Sequence, residues 1–490
     1  MITRRRLLAA AAQALPRRPN LLFLIADDHA GHALGVDGNP LARTPNLDRL
    51  ASDGTRFAAH YCNSPVCTPS RQSLLTGQMP HMAGVTRLAT PLDLGKPTLA
   101  RQFQRAGYRT AVFGKMHLNR PAQPGLFGFD TMVTEGELQK AWAARRPGRA
   151  VPSEIPVKPR WQPFKDPARI WLNADALPFS RYEADMKGTY LAGLAAEFLA
   201  AHRDSPFALW VSFQEPHSPF DFPVEDAGRR PSHAFPPPPV GPADAPQIPL
   251  IFRELSHADK SGIRSAYYTS VEFLDRNIGR VLHALEREGL AANTVVIYLA
   301  DHGYCLGEHG RFEKHCGYDP ALRVPLIVRA PGRVRRGVVK HFTEHIDVPA
   351  TITGLFGLDP LPIQHGRSLR PYLEGRRTAH RDHVFSEYLE NEEAFLRTHR
   401  YKYIFCSGRR RRLDGYETDR PTPGRYERLY DLKSDPDEFT DLAAQQPKVA
   451  AGLRRLMLER FRATHPETAH EPPRLSDAEA LEWYLRPRDA

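Results

Sequence analysis

Four apolar runs in this 490-residue chain each lead into a pair of ionisable groups, and no other feature restricts the fold as strongly. "NLLFLIA" (20–26) runs into Asp27 and Asp28, and "YRTAVFG" (108–114) into Lys115 and His117. "FALWVSF" (207–213) leads to Glu215 and His217, and "TVVIYLA" (294–300) to Asp301 and His302. Short continuous apolar runs bounded in this way read as strands buried on both faces. Between them lie segments with helix start and stop signals: "TPNLDRLASDG" (44–54), "TLARQFQRAG" (98–107), "TYLAGLAAEFLAAHR" (189–203) and a longer one near 262–288. This alternation predicts an α/β fold, a mostly parallel sheet sandwiched by helices, to which "VPLIVRAPG" (324–332) adds one more strand. Ligands of such sheets bind outside the carboxyl ends of the strands, and there the four pairs would meet.

Length and composition agree with a large globular domain and a smaller one. Hydrophobic residues are 41% and charged residues 25%, ordinary for a packed soluble domain. There is no apolar stretch of 18 residues, so no membrane span is expected. The net charge of +11 comes without a basic stripe interleaved with aromatics, which argues for anionic small substrates and against nucleic acid. Five cysteines, an odd and sparse set, argue against a disulfide framework, and Cys62 and Cys67 lack the spacing of a zinc pair. Residues 1–17, "MITRRRLLAAAAQAL" and onward, carry the pattern of an export signal with a twin-arginine start, which implies a periplasmic or secreted protein. Residues 18–378 are expected to form the catalytic domain. In 379–490 "HVFSEYL", "AFLRTHRYKYIFC" and "RYERLYDL" predict a small antiparallel sheet packed on the helix "PKVAAGLRRLMLERFRATH". The proline-rich stretch 219–250 is expected as a long surface loop near the site, and Arg409–Arg412 as a solvated hairpin tip.

Asp27 and Asp28 side by side repel each other unless a cation neutralises them. Together with Asp301 and His302 they suit a divalent ion held mainly by oxygen: calcium, magnesium or manganese, with zinc disfavoured. "SPVCTPSRQSLLTG" (64–77) supplies the second half of a site. Thr68 would cap a helix with Pro69 in its first turn, placing Cys67 at the positive end, where an anion meets free N–H groups. Arg71, one turn in, offers a two-pronged donor. A reactive thiolate and an inert buried cysteine are the other readings of Cys67.

Cys67 to Arg71, continuing to Leu75-Thr76-Gly77, resembles the activation signature of the type I, formylglycine-dependent sulfatases of the alkaline phosphatase superfamily. "GYRTAVFGKMH" (107–117) is similar to that family's second signature, "PNLLFLIADD" to its opening strand, "PHSP" (216–219) to its substrate-histidine motif and "ADHG" (300–303) to its second metal motif. "KHCGYDPALRVPLIV" (314–328) resembles its lysine-bearing segment, and "LYDLKSDPDEFTDLA" (429–443) its C-terminal subdomain. The resemblance implies an alkaline-phosphatase-like fold and a sulfuric ester hydrolase acting on an aryl or carbohydrate sulfate. It implies that a formylglycine-generating enzyme oxidises Cys67 to 3-oxoalanine, whose hydrate attacks sulfur. By the family pattern Asp27, Asp28, Asp301, His302 and residue 67 hold one divalent cation, calcium before magnesium or manganese. Arg71 then steadies the hydrated aldehyde, Lys115 and Lys314 hold sulfate oxygens, His117 is the base of the second step, and His217, with Lys314, protonates the leaving oxygen. Many members carry Asn where this chain has His302. The histidine version occurs in sugar sulfatases and in relatives cleaving phosphonate or phosphate esters, so a phosphonate monoester or phosphodiester hydrolase is the rival reading. Met116 replaces a frequent Trp and Asp319 a frequent Glu. A third reading is an anion-binding relic with unmodified Cys67.

Overall fold

The computed structural model describes residues 18–159, 168–376, 380–409, 411, 412, 414–418 and 424–489. The segment expected to be an export signal, 1–17, lies outside them. The principal sheet has eight strands: β1 Asn20–Ala26, β2 Thr55–Phe57, β3 Arg109–Gly114, β4 Thr131–Val133, β5 Phe207–Ser212, β6 Thr294–Ala300, β7 Leu326–Arg329 and β8 Gly337–Val339. Their order across the sheet is β8-β2-β7-β6-β1-β5-β3-β4. Every neighbouring pair is parallel except those made by β7, which runs against both β6 and β2. The sheet is mostly parallel, as expected, with β7 its antiparallel member. The loop carrying residues 301–325 returns along the carboxyl edge, so the chain re-enters the sheet from that edge and must run backwards.

Alternation along β1 explains the layering. Leu21, Phe23 and Ile25 face one core, with Phe103, Trp210 and Phe129. Leu22, Leu24 and Ala26 face another, with Leu274, Ile278 and Phe198. Both faces are buried, so the strand reads as an unbroken apolar run. Register sets the site: Ala26 pairs with Ala300, Ile25 with Ser212, and Ser212 with Gly114. The residues that follow, Asp27, Asp301 and Lys115, therefore leave the sheet side by side. Gly114 is required at this exit. Its φ is +94°, and a Cβ would lie 1.9 Å from the Ser212 carbonyl oxygen.

Three helices matter to the site or its surroundings: α1 Cys67–Thr76, α2 Lys187–Ala201 and α3 His257–Arg287. Most of α3 is buried, and its Tyr267 hydroxyl donates to the Asp28 carbonyl at 2.7 Å while accepting from the Ala30 N–H at 2.9 Å. The proline-rich stretch has no strand, as expected, but it is not simply a surface loop. It contains short 3-10 helices, and Phe220, Phe222, Val224 and Phe235 are buried, Phe220 and Phe235 against the tyrosines of α3.

A separate four-stranded antiparallel meander follows: β9 His383–Tyr388, β10 Glu393–Thr398, β11 Tyr401–Cys406 and β12 Tyr426–Asp431. It is covered by α4 Pro447–Thr464 and by a second helix not anticipated from sequence, α5 Asp477–Tyr484, opened by a Ser476–Glu479 capping box. The arginine run after β11 is not a solvated tip throughout. Arg412 is largely buried against Asp414 and donates to the His315 carbonyl. No helix among the described residues is long and apolar enough to cross a membrane.

Candidate active site at the carboxyl edge of the sheet

All ten residues of α1 are buried, six of them Thr68, Ser70, Arg71, Gln72, Ser73 and Thr76, an unusual composition for a core helix. Their partners explain the burial. Arg71 donates from Nε to Asp301 Oδ2 at 2.8 Å, from NH2 to Asp27 Oδ2 at 3.1 Å, and from NH1 to Ser212 Oγ at 2.6 Å and to the Lys115 carbonyl. One guanidinium thus ties together residues at the ends of β1, β3, β5 and β6. Ser70 Oγ donates to the Asp301 carbonyl, and Gln72 Nε2 to the His117 carbonyl at 2.9 Å.

Thr68 does not cap this helix. Val66 holds the cap position in extended conformation without a side-chain bond, and Thr68 Oγ1 donates to the Leu88 carbonyl at 2.7 Å. Cys67 is the first helical residue, so the first-turn N–H groups have no side-chain cap, and the positive end of α1 faces the cluster.

Cys67 is 2% exposed. Its Sγ lies 3.1 Å from His302 Nε2, 3.1 Å from Lys314 Nζ, 3.7 Å from Asp27 Oδ1 and 3.9 Å from Lys115 Nζ. Burial alone would raise its pKa, but Lys115, Lys314 and His302, with a hydrogen bond from His117, hold it well below the usual thiol range. Lys314 also pairs with Asp28 Oδ1 at 2.8 Å, and Lys115 with Asp27 Oδ2. Burial opposes the charge of Asp28, yet Lys314 and His217 pull its carboxyl down. His302 Nδ1 lies 3.1 Å from Asp28 Oδ1, and its Nε2 3.5 Å from Asp301 Oδ2. Burial disfavours the imidazolium most strongly, but Asp301, Cys67 and the hydrogen bond to Asp28 together outweigh it and push its pKa up to about 10.

The ten residues singled out in the sequence fall at this edge. Asp27, Cys67, Asp301 and His302 offer ligand atoms within 4.8 Å of one another, and a second such group joins Asp27, Asp28 and His217. Asp28 Oδ2 is buried and accepts no hydrogen bond among the described residues, which leaves a lone pair open to a ligand. Three buried carboxylates, one imidazole and one unpartnered oxygen fit a divalent cation. His217 stands 3.9 Å from that same Oδ2 and is partly exposed. His117 reaches the cluster from a loop held by Glu135 Oε1, which accepts from the N–H groups of Met116 and His117 at 2.9 and 2.7 Å.

Sequence reasoning missed the supports: Ser212, Gln72, Glu135 and His345, whose Nε2 bonds the Asp301 carbonyl at 2.9 Å. Only Gln72 and Ser212 left a trace in the sequence, as polar residues on an otherwise buried helix and strand.

A family model described as Sulfatase matches residues 19–358, and one described as N-sulphoglucosamine sulphohydrolase, C-terminal, matches 307–463. An arylsulfatase of Clostridium perfringens is 28% identical over 454 residues, 87% of this chain and 90% of that protein. A choline-sulfatase of Rhizobium meliloti is 28% identical over 502 residues, 96% and 91% respectively. The crystal structure of a phosphonate monoester hydrolase of Agrobacterium radiobacter superposes with a TM-score of 0.75 at 26% identity, covering 93% of this chain and 97% of that one. With the family match spanning most of its length, the chain belongs to the sulfatase family and is a sulfatase.

Proposed function

We propose that the protein hydrolyses a sulfate monoester, of an aryl or carbohydrate alcohol, through a formylglycine made from Cys67 and a divalent cation. The observation that carries this reading is the convergence on residue 67 of two lysines, two imidazoles and the acid cluster at the start of a buried helix. Asp27, Asp28, Asp301 and His302, with residue 67, would hold the cation, a hard divalent ion rather than zinc because carboxylates dominate, with calcium put first by the family resemblance. When bound, it lowers the pKa of a hydroxyl on residue 67 and offsets charge on the sulfate oxygens.

The protein's own groups divide the remaining work. Once hydrated, residue 67 carries two hydroxyls. One, having lost its proton to water, attacks sulfur as the alkoxide, the bond from sulfur to the alcohol oxygen breaks, and His217, helped by Lys314, protonates the departing oxygen. Sulfate is then esterified to residue 67. His117 takes the proton of the second hydroxyl, the carbon–oxygen bond to sulfate breaks, and the aldehyde returns, ready to add water. Lys115 and Lys314 hold sulfate oxygens, and Arg71 fixes the hydrate. Because Cys67 is buried at 2% exposure, a formylglycine-generating enzyme would have to act before the fold closes over it.

Intact mass of the peptide spanning residue 67, from protein made in its native host, tests the reading. Exchange of sulfur and two hydrogens for one oxygen is expected; a thiol that alkylates quantitatively would overturn it. The structural likeness to a phosphonate monoester hydrolase supports a second reading, since lysines and a cation clamp a phosphorus oxyanion equally well. The ratio of kcat/KM on an aryl sulfate to that on an aryl phosphonate decides between them, and a large preference for phosphonate would displace the sulfate assignment.

A further inference from the structure

A cavity of about 490 Å³ opens beside His217. His217 is the group assigned to protonate the leaving oxygen, so this cavity lies on the leaving-group side of the reaction. One wall is aromatic: the Trp142 and Phe179 ring centroids are 6.0 Å apart. Trp142 Nε1 already donates to the Asp185 carbonyl at 2.8 Å, so what it offers a ligand is apolar surface. Lys158, whose ammonium lies 5.6 Å from the Phe179 ring centroid, is neutralised by Asp221. The volume has room for a ring with polar substituents, and an apolar wall facing Gln139, Ser180, Gln214 and charged side chains suits such a ring.

Lys187, on the same lining, is costly where it stands. It is the first residue of α2, where the helix dipole disfavours a cation. Its ammonium donates to two amide oxygens, of Gln214 and, at 3.4 Å, of Gln139, and pairs with no carboxylate within 4 Å among the described residues. Burial pushes its pKa down, with Glu215 and Asp221 opposing from farther off. Glu215 itself is buried and raised to about 7, and Asp221 is taken by Lys158. A half-buried cation without a counter-charge destabilises a fold, and such groups concentrate where a ligand supplies the missing charge.

We propose that this cavity receives the leaving alcohol and that Lys187 pairs with a carboxylate on its ring, so that the preferred substrates are sulfate esters of anionic, ring-bearing alcohols. The inference rests on the sulfate-ester reading above. It also separates this chain from its choline-sulfatase relative, because a quaternary ammonium in the cavity would confront Lys187.

The test compares kcat/KM for 3-carboxy-4-nitrophenyl sulfate and 4-nitrophenyl sulfate in the wild-type protein and in Lys187→Met. Intrinsic reactivity differences between the substrates cancel when the two ratios are compared. The ratio is expected to fall about tenfold in Lys187→Met, the equivalent of ~1.4 kcal/mol, and to be largely restored in Lys187→Arg. Product inhibition gives a second readout: the carboxylated phenol should inhibit wild type more tightly than 4-nitrophenol and lose that advantage in Lys187→Met. A ratio and an inhibition pattern that ignore the substitution overturn the subsite. Failure of the formylglycine-bearing wild type to turn over either sulfate overturns the underlying reading instead.

Discussion

Two buried acid clusters in this protein are alike in burial and charge and differ in how far their oxygens are hydrogen-bonded. Asp28 at the end of β1 and Asp347, which opens the helix Asp347–Phe356, are both fully buried and both held ionised by a nearby cation. Every oxygen of the second cluster is met. Asp347 Oδ1 accepts from the Arg367 N–H at 2.8 Å, and Oδ2 from the Glu344 N–H at 2.8 Å and Arg381 Nε at 3.0 Å. Glu344 accepts from the Phe385 N–H at 2.9 Å and from Arg460 at 2.6 Å, which ties α4 to the principal domain. Asp28 Oδ2 has no partner. A closed network rigidifies, whereas an open one is waiting for a ligand. Between these two aspartates the difference therefore lies in how their oxygens are hydrogen-bonded and not in burial or charge.

Reciprocal substitutions break or sharpen that contrast. Asp28→Asn should lower kcat by on the order of 10³-fold, because charge at the transition state loses its preorganised support, and should move Tm by no more than a few degrees. Arg381→Met should do the reverse: it leaves Asp347 and Glu344 buried beside an uncharged group, costs about 3–5 kcal/mol of stability, and leaves kcat near wild type at temperatures where the protein is folded. Steady-state rates and thermal melts on the same preparations check both. If Asp28→Asn melted as early as Arg381→Met, the two clusters would be equivalent and the distinction wrong.

The strand-end groups were legible because each sits in local sequence directly after a strand, and parallel register does the rest: Ala26, Ala300, Ser212 and Gly114 align without further information. Helix α1 was legible as an element, but its cap was misread. Thr68 has cap chemistry, yet its hydroxyl is claimed by the Leu88 carbonyl twenty residues on, a tertiary preference invisible in local pattern. The reversal of β7 was hidden for a similar reason, since an apolar run carries no direction. The Arg381–Asp347–Glu344 network spans dozens of residues with no spacing rule, and Lys187 announces itself only by what it lacks. Sequence showed which groups converge; distance and satisfaction decide which of them are open to a ligand.

His309 offers a weaker test of the same distinction, on the closed side. Its ring lies between Asp244, 3.1 Å from Nδ1, and Glu438, 3.7 Å from Nε2, and stacks on Tyr318 with centroids 3.5 Å apart. Burial disfavours its imidazolium, but the hydrogen bond with Asp244 and the nearby charge of Glu438 outweigh that and raise the pKa to about 9. In the unfolded chain the value is about 6.5. A raised folded-state pKa means the unfolded chain sheds the proton first. The contribution is therefore complete below about pH 6.5 and drains away as pH climbs toward 9. Because Glu438 comes from the segment after β12, the bridge joins the C-terminal sheet region to the loop beyond β6. Between pH 6.5 and pH 9 the wild-type protein should lose about 2 kcal/mol more unfolding free energy than His309→Gln, whose amide can hydrogen-bond but cannot titrate. Denaturant melts at the two pH values measure this directly. An equal loss in both proteins would mean that the imidazolium is not part of a closed network at all.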